Sequence, residues 1–314
     1  MLLHFVDGEK GGVGKSWFCR LLVECCLHQG SEDIVLVESD SSNLDVGRYY
    51  PEITEKIFFS EDEKRSYNAD SIFKLSEVKP VIVNLPAQVE APLNDWISRN
   101  GLLEEDFSDL NIYKWFVCTG EPDSIELFKK SVTALEGKIE HVLVKNMGPT
   151  GAYEASWQRL KGDKALSDFI EKHGVISMEL LPLHKKDAEI IVVGQMTFKK
   201  AIALDSKVER LAKRRLRIYR DKVFDAIAAT GLITKDIFDE HTDYDAISST
   251  LKAADNLLTE SLTSGGTNTG EAFSFESANS STSASTAQNS DGTQEEAVSH
   301  KKSKKQKPQQ EALA

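Results

Sequence analysis

Lys10-Gly11-Gly12-Val13-Gly14-Lys15-Ser16 is the stretch that decides how this chain is read. An apolar run, Leu2–Val6, precedes it, and Trp17–His28 follows with helical spacing at Leu21, Leu22, Cys25 and Cys26. A strand, a glycine-rich turn and a helix in that order form the frame of a phosphate-binding loop. The glycines let backbone N–H groups approach phosphate oxygens with no Cβ in the way. The N-terminus of the helix adds its partial positive charge behind them. Lys15 brings a full charge for the β- and γ-phosphates, and the Ser16 hydroxyl is placed to ligate Mg²⁺.

Composition sets the outer limits. With 314 residues the chain is long enough for one large α/β domain plus appendages. Its formal charge of −12 excludes a wholly basic nucleic-acid binder, so any contact with DNA must be local. The four cysteines, Cys19, Cys25, Cys26 and Cys118, show no C-x-x-C spacing and read as small apolar side chains in a reducing cytosol. The apolar run at the N-terminus lacks a basic flank and is too short for a signal peptide or a membrane span. The expectation is a cytoplasmic protein.

Outward from the loop, Gly30 is read as the stop of the first helix, and Asp33–Glu38 as a second strand. Further apolar runs are Pro80–Leu85, Ile112–Cys118, Ile139–Val144 and Val175–Leu181. Runs that are apolar throughout suit a parallel sheet covered on both faces. Helical patterns separate them at Ala91–Arg99, Glu121–Leu135 and Tyr153–His173. The alternation predicts an α/β fold: a doubly wound, mostly parallel sheet with helices on both faces. Met196–Ile227 reads as one long helical run, with Leu204, Val208, Leu211, Leu216, Tyr219, Val223 and Ile227 on its apolar side. The other side is basic: Lys207, Arg210, Lys213, Arg214, Arg215, Arg217, Arg220 and Lys222 against Glu209 and Asp221. The domain is expected to span residues 1–230, with its basic closing helix at about 199–229 and a helical extension at 231–262. Residues 263–314, rich in Ser and Thr, lack a core-forming pattern and are expected to be disordered. They end in Lys301, Lys302, Lys304, Lys305 and Lys307, a tether to nucleic acid or a solubilising tail.

Glu9 occupies the place of the first glycine in the general loop pattern, and Lys10 follows it. A lysine there, ahead of Gly-Gly-x-Gly-Lys-Ser, resembles the deviant P-loop of the ParA/MinD family of ATPases. The resemblance implies ATP and Mg²⁺, bound through residues 10–16 and the start of the helix at Trp17. It also implies a nucleotide-sandwich homodimer in which Lys10 reaches the partner's phosphates. The family's Asp-x-Asp pattern is met after the second strand, in Glu38-Ser39-Asp40, with Glu38 for the first aspartate. Asp40 matches the aspartate that orients the attacking water or a metal-bound water; the alternative is a turn aspartate. Val81-Ile82-Val83-Asn84-Leu85-Pro86-Ala87 resembles the Walker B segment, with Asn84 in place of its aspartate. Asparagine still accepts a hydrogen bond from a metal-bound water but brings no charge. Asn146 stands where the family reads adenine, or is a turn residue, and Pro182 stands where the family lines the base pocket.

Within this group the chain resembles the TraL/MobD type of plasmid conjugation and mobilisation ATPases. That likeness rests on the loop, on Met196–Ala201 and on Arg214–Phe224, and covers about residues 1–230. It implies a slowly hydrolysing MgATP switch in plasmid DNA mobilisation, with a relaxase or a partition adaptor as protein partner. The alternatives are a partition or positioning ATPase, a non-hydrolysing adaptor suggested by Asn84, and more weakly a small-molecule enzyme of the wider P-loop group. The basic face, above all Arg210, Lys213, Arg214 and Arg217, is read as a non-specific DNA contact, with nucleoid or plasmid association, or as a solvated face. No Phe/Leu/Trp-rich amphipathic face lies beside the chain end, so no membrane contact is expected.

Overall fold

The apolar runs become strands because both of their faces are covered. The computed structural model describes residues 1–8, 10–28, 34–40, 44–60 and 66–233. Among these, seven strands form one sheet: β1 (Leu2–Asp7), β2 (Val35–Glu38), β3 (Thr54–Lys56), β4 (Val81–Asn84), β5 (Asn111–Cys118), β6 (Glu140–Asn146) and β7 (Ile176–Leu180). Their order is β3-β2-β4-β1-β5-β6-β7, and every pairing is parallel. The chain winds outward from β1 to one edge and then returns to build the other. The order therefore reverses beside β1, where α/β sheets hold their ligands.

Alternation along the strands feeds two layers. Val6, Leu36, Ile82, Trp115, Val117, Val142 and Val144 face one side. There they pack under α1 (Lys15–His28), α7 (Lys185–Val193), α8 (Phe198–Ile202) and α9 (Arg210–Ala228). On the other side Phe5, Val37, Val81 and Val83 lie under α2 (Asp70–Ser76) and α3 (Glu90–Arg99). Phe116 and Leu143 lie under α4 (Pro122–Thr133), α5 (Glu154–Arg159) and α6 (Lys164–Lys172). Each such side chain, fully buried, contributes roughly 1.5–3 kcal/mol. The fold is a doubly wound α/β sandwich with an all-parallel sheet.

Several sequence expectations are corrected in detail. The run Tyr153–His173 is two helices, because Gly162 turns at φ +85° and the Asp163 carboxylate caps the second by accepting the Leu166 N–H at 3.0 Å. The long run from Met196 is also two, α8 and α9, with the chain non-helical between Ala203 and Glu209. Leu204, in the break, and Leu211, in the first turn of α9, are exposed, while Leu216, Tyr219, Val223 and Ile227 keep the expected buried face. Lys213 reaches back across the break and donates to the carbonyls of Ala203 and Leu204 at 2.8 and 3.1 Å. Gly30, Asp33 and, beyond residue 233, the expected extension and tail lie outside the described residues.

Candidate functional site

The loop after β1 is fixed at its root by a buried charge pair. Asp7, the last residue of β1, accepts the Gly8 N–H at 2.6 Å through Oδ1, and its Oδ2 lies 2.9 Å from Lys114 Nζ on β5. Gly8 admits no side chain, since a Cβ would come within 2.6 Å of Val13 Cγ2. The loop then turns through left-handed backbone at Gly12 (φ +80°) and Gly14 (φ +98°). A Cβ on Gly11 or Gly12 would meet nothing within 4 Å, so backbone amides there stand open to a ligand. Lys15 opens α1, and its mostly buried ammonium folds over the loop to donate to the Lys10 carbonyl at 3.0 Å.

This loop forms one wall of a cavity of about 310 Å³. Gly11, Gly12, Gly14, Lys15, Ser16 and Trp17 line that wall; Asp40 and Asp45, from the segment after β2, line another, and Asn84 to Ala87, after β4, a third. The Trp17 indole turns away to donate to Tyr219 Oη at 2.9 Å, so Trp17 offers the site its backbone in the first turn of α1. Ser16 Oγ donates to Asp45 Oδ2 at 3.3 Å. Glu38 and Asn84 are lateral neighbours in the register of β2 and β4, and Asn84 Nδ2 donates to Glu38 Oε1 at 2.6 Å. The other oxygen, Glu38 Oε2, accepts the N–H groups of Val46 and Gly47 at 2.9 and 2.8 Å. Burial pushes the Glu38 carboxyl upward in pKa, and these bonds oppose that shift. Asn84 Oδ1 is buried without a partner.

This donor set fits Mg²⁺. Ser16 provides a hydroxyl, Asp40 and Asp45 provide carboxylates, and the orphaned Asn84 oxygen can accept from a metal-bound water. One or two carboxylates completed by substrate phosphates and water is how this small cation is usually held. Among the described residues no group of three or more His, Cys, Asp or Glu is gathered to hold a metal unaided.

Of the residues singled out in sequence, the cavity gathers Gly11, Gly12, Gly14, Lys15, Ser16, Trp17, Asp40 and Asn84. Lys10 instead pairs with Asp123 in the first turn of α4, which raises the pKa of the ammonium and lowers that of the carboxyl. Val13 turns its carbonyl inward to accept from Asn146 Nδ2 at 2.7 Å, while Asn146 Oδ1 accepts the Gly148 N–H at 2.8 Å. Asn146 thus braces the loop from behind, keeping one amide proton and one lone pair for any base beside it. Pro182 lines a separate cavity of about 500 Å³ formed by α5, α6 and β7. A larger one, about 850 Å³, lies between α1, α8 and α9, away from the loop. Asp45 and Asp7 were not singled out in sequence. The only signal for Asp45 was its place at the end of the polar run after the second strand.

The basic face of α9 is partly consumed. Arg215 holds Asp187 of α7 through two bonds of 2.7 Å, Arg220 is buried against Asp221, and Lys213 is tied to backbone. Arg210, Arg214 and Lys222 remain exposed, and Arg217 is half-buried. No described helix is long and apolar enough to cross a membrane.

Strand order and loop together make a P-loop fold, with a lysine-first loop similar to that of the ParA/MinD group. Among proteins of known name, the chain is similar to Protein MobD of Acidithiobacillus ferrooxidans, 29% identical over 206 residues that make up 64% of this chain and 86% of MobD. Solved structures align at low identity. The MinC:MinD cell division complex of Aquifex aeolicus aligns at TM-score 0.44 and 14% identity, over 72% of this chain and 96% of that one. A protein of Borrelia burgdorferi B31 described as a plasmid partition protein, bound to AMPPNP, aligns at TM-score 0.42 and 16% identity, over 70% and 99%. An Archaeoglobus fulgidus nucleotide-binding protein in complex with ADP aligns at TM-score 0.42 and 14% identity, over 62% and 87%. These overlays are loose, and the fold assignment rests on the strand order and the loop. No family model matches the chain.

Proposed function

We propose that this protein is an ATP-dependent switch that binds MgATP at the loop, hydrolyses it slowly and serves plasmid DNA mobilisation. The observation that carries the reading is one cavity where Lys15, Ser16, Asp40 and Asn84 converge on the open backbone of Gly11 and Gly12. Lys15 and the loop amides neutralise phosphate charge, and Asp40 holds the water for in-line attack. Ser16 and the Asn84 oxygen hold the metal shell; bound Mg²⁺ would offset charge between the β- and γ-phosphates. Lys10, once released from Asp123, is the residue that would reach a partner's phosphates in an ATP-dependent homodimer. The similarity to MobD supports mobilisation over partition as the setting, with a relaxase as candidate partner.

A neutral Asn84 supports a second reading, an adaptor that senses ATP without turning it over. Arg210, Arg214 and Arg217 are the α9 residues that would touch duplex DNA, with the Lys301–Lys307 run as a second electrostatic contact. Binding of a fluorescent ATP analogue and steady-state phosphate release, each with and without Mg²⁺ and duplex DNA, test both readings. Tight Mg²⁺-dependent binding with slow turnover, raised by DNA, is the expected result. Binding without turnover establishes the adaptor, and absence of binding removes both.

A further inference from the structure

Asn84 leaves a charge deficit at the metal position, and the fold places another carboxylate there. Asp45 lines the loop cavity and receives the Ser16 hydroxyl at 3.3 Å. Its position is fixed from the sheet: the next two residues, Val46 and Gly47, give their N–H groups to Glu38 Oε2 at 2.9 and 2.8 Å. Glu38 is itself tied to Asn84 at 2.6 Å. Gly47 is needed for this approach, because a Cβ would lie 2.7 Å from Thr54 Cγ2. One connected unit therefore runs from Asn84 through Glu38 to the backbone after Asp45 and on to Ser16.

We infer that Asp45 is the metal-positioning carboxylate of this chain. It accepts the proton of the Ser16 hydroxyl, orients that oxygen's free lone pair toward Mg²⁺, and supplies the negative charge that Asn84 lacks. Glu38 is the strut that holds it there. Asp40, on the same wall, is left to position water. The inference rests on the MgATP reading above and adds to it a residue 29 positions beyond Ser16, outside the Asp-x-Asp and Walker B patterns.

The test is a titration of free Mg²⁺ against the affinity of a fluorescent ATP analogue, for wild type, Asp45→Asn and Asp40→Asn, with thermal melting as a folding control. Asp45→Asn is expected to raise the Mg²⁺ concentration at half-effect roughly tenfold to a hundredfold, with affinity in EDTA unchanged. A wild-type Mg²⁺ midpoint in Asp45→Asn overturns the inference. So does a shift confined to Asp40→Asn, or a loss of EDTA-state binding in Asp45→Asn, which would mark Asp45 as a support of the loop rather than of the metal. A wild type that binds no nucleotide at any Mg²⁺ concentration defeats the ATP reading itself and this inference with it.

Discussion

Restoring the family's aspartate by Asn84→Asp should weaken this protein rather than improve it. In the wild type Asn84 Nδ2 donates to Glu38 Oε1 at 2.6 Å, so the substitution sets two carboxylates face to face. At an effective dielectric of about 20, two unit charges about 3 Å apart repel by roughly 5 kcal/mol. The pair escapes by keeping a proton. For a carboxyl with an ordinary pKa of about 4.3, that costs ~5 kcal/mol at pH ~8 and ~2 kcal/mol at pH ~6. The burial that already pushes Glu38 upward lowers both figures. The expected destabilisation is therefore roughly 3–5 kcal/mol at pH ~8 and half of that or less at pH ~6. The double substitution Glu38→Gln/Asn84→Asp should recover most of the loss. The amide then introduced on β2 can donate to the carboxylate introduced on β4, while its carbonyl keeps the Val46 and Gly47 N–H groups. Urea unfolding of wild type, Asn84→Asp, Glu38→Gln and the double variant at both pH values forms a double-mutant cycle. Equal stability of wild type and Asn84→Asp at the higher pH, or no recovery in the double variant, would refute the electrostatic account of this pair.

Three further outcomes follow from the same geometry. Gly14→Ala places a Cβ 2.6 Å from Asn146 Nδ2 at φ +98°, so it should strain the loop by roughly 1–3 kcal/mol and abolish nucleotide binding while circular dichroism stays native. Lys114→Met leaves Asp7 without its buried ammonium partner and should lower unfolding free energy by roughly 3–5 kcal/mol, measured in urea. Glu24, whose carboxyl burial pushes up to about 7, binds its proton more tightly folded than unfolded; stability should fall as pH rises from about 4.5 to about 7, by up to ~3 kcal/mol. Glu24→Gln should remove that slope. The difference between the two proteins isolates it from buried His4 and His141, lowered to about 3 and about 4, whose stabilisation is lost as pH falls below about 6.5.

The sheet was legible because its strands carry an unusually simple signal. Val81-Ile82-Val83 is apolar throughout since Val81 and Val83 enter one layer and Ile82 the other, and only a strand covered on both faces demands that. The helices were less legible where a break rather than a pattern decided them. Leu211, in the first turn of α9, lies five residues and so roughly 140° around the helix from Leu216, off the buried face, and Leu204 falls outside both helices, in the chain between Ala203 and Glu209; both are exposed. Periodicity detects a face within one helix and cannot register an offset between two. The edge strand Thr54–Lys56 failed for another reason: its three residues carry no apolar run at all, and it exists by pairing with β2.

At the site, the loop announced itself because its residues are consecutive and Gly12 and Gly14 answer a left-handed backbone requirement. Asp45 could not, since nothing local relates it to Ser16. What brings them together is Glu38, whose side chain is one methylene longer than the aspartate expected there. That length lets one carboxylate span from Asn84 to the amides of Val46 and Gly47. Read separately, Glu38 and Asn84 look like two losses from the Asp-x-Asp and Walker B patterns. Taken with the sheet register that makes them neighbours, they form one matched pair: β2 keeps a carboxylate, lengthened by one methylene, and the amide on β4 is its hydrogen-bond donor. Reverting either alone therefore breaks a matched pair, and only their joint reversal tests what the family pattern would do in this chain.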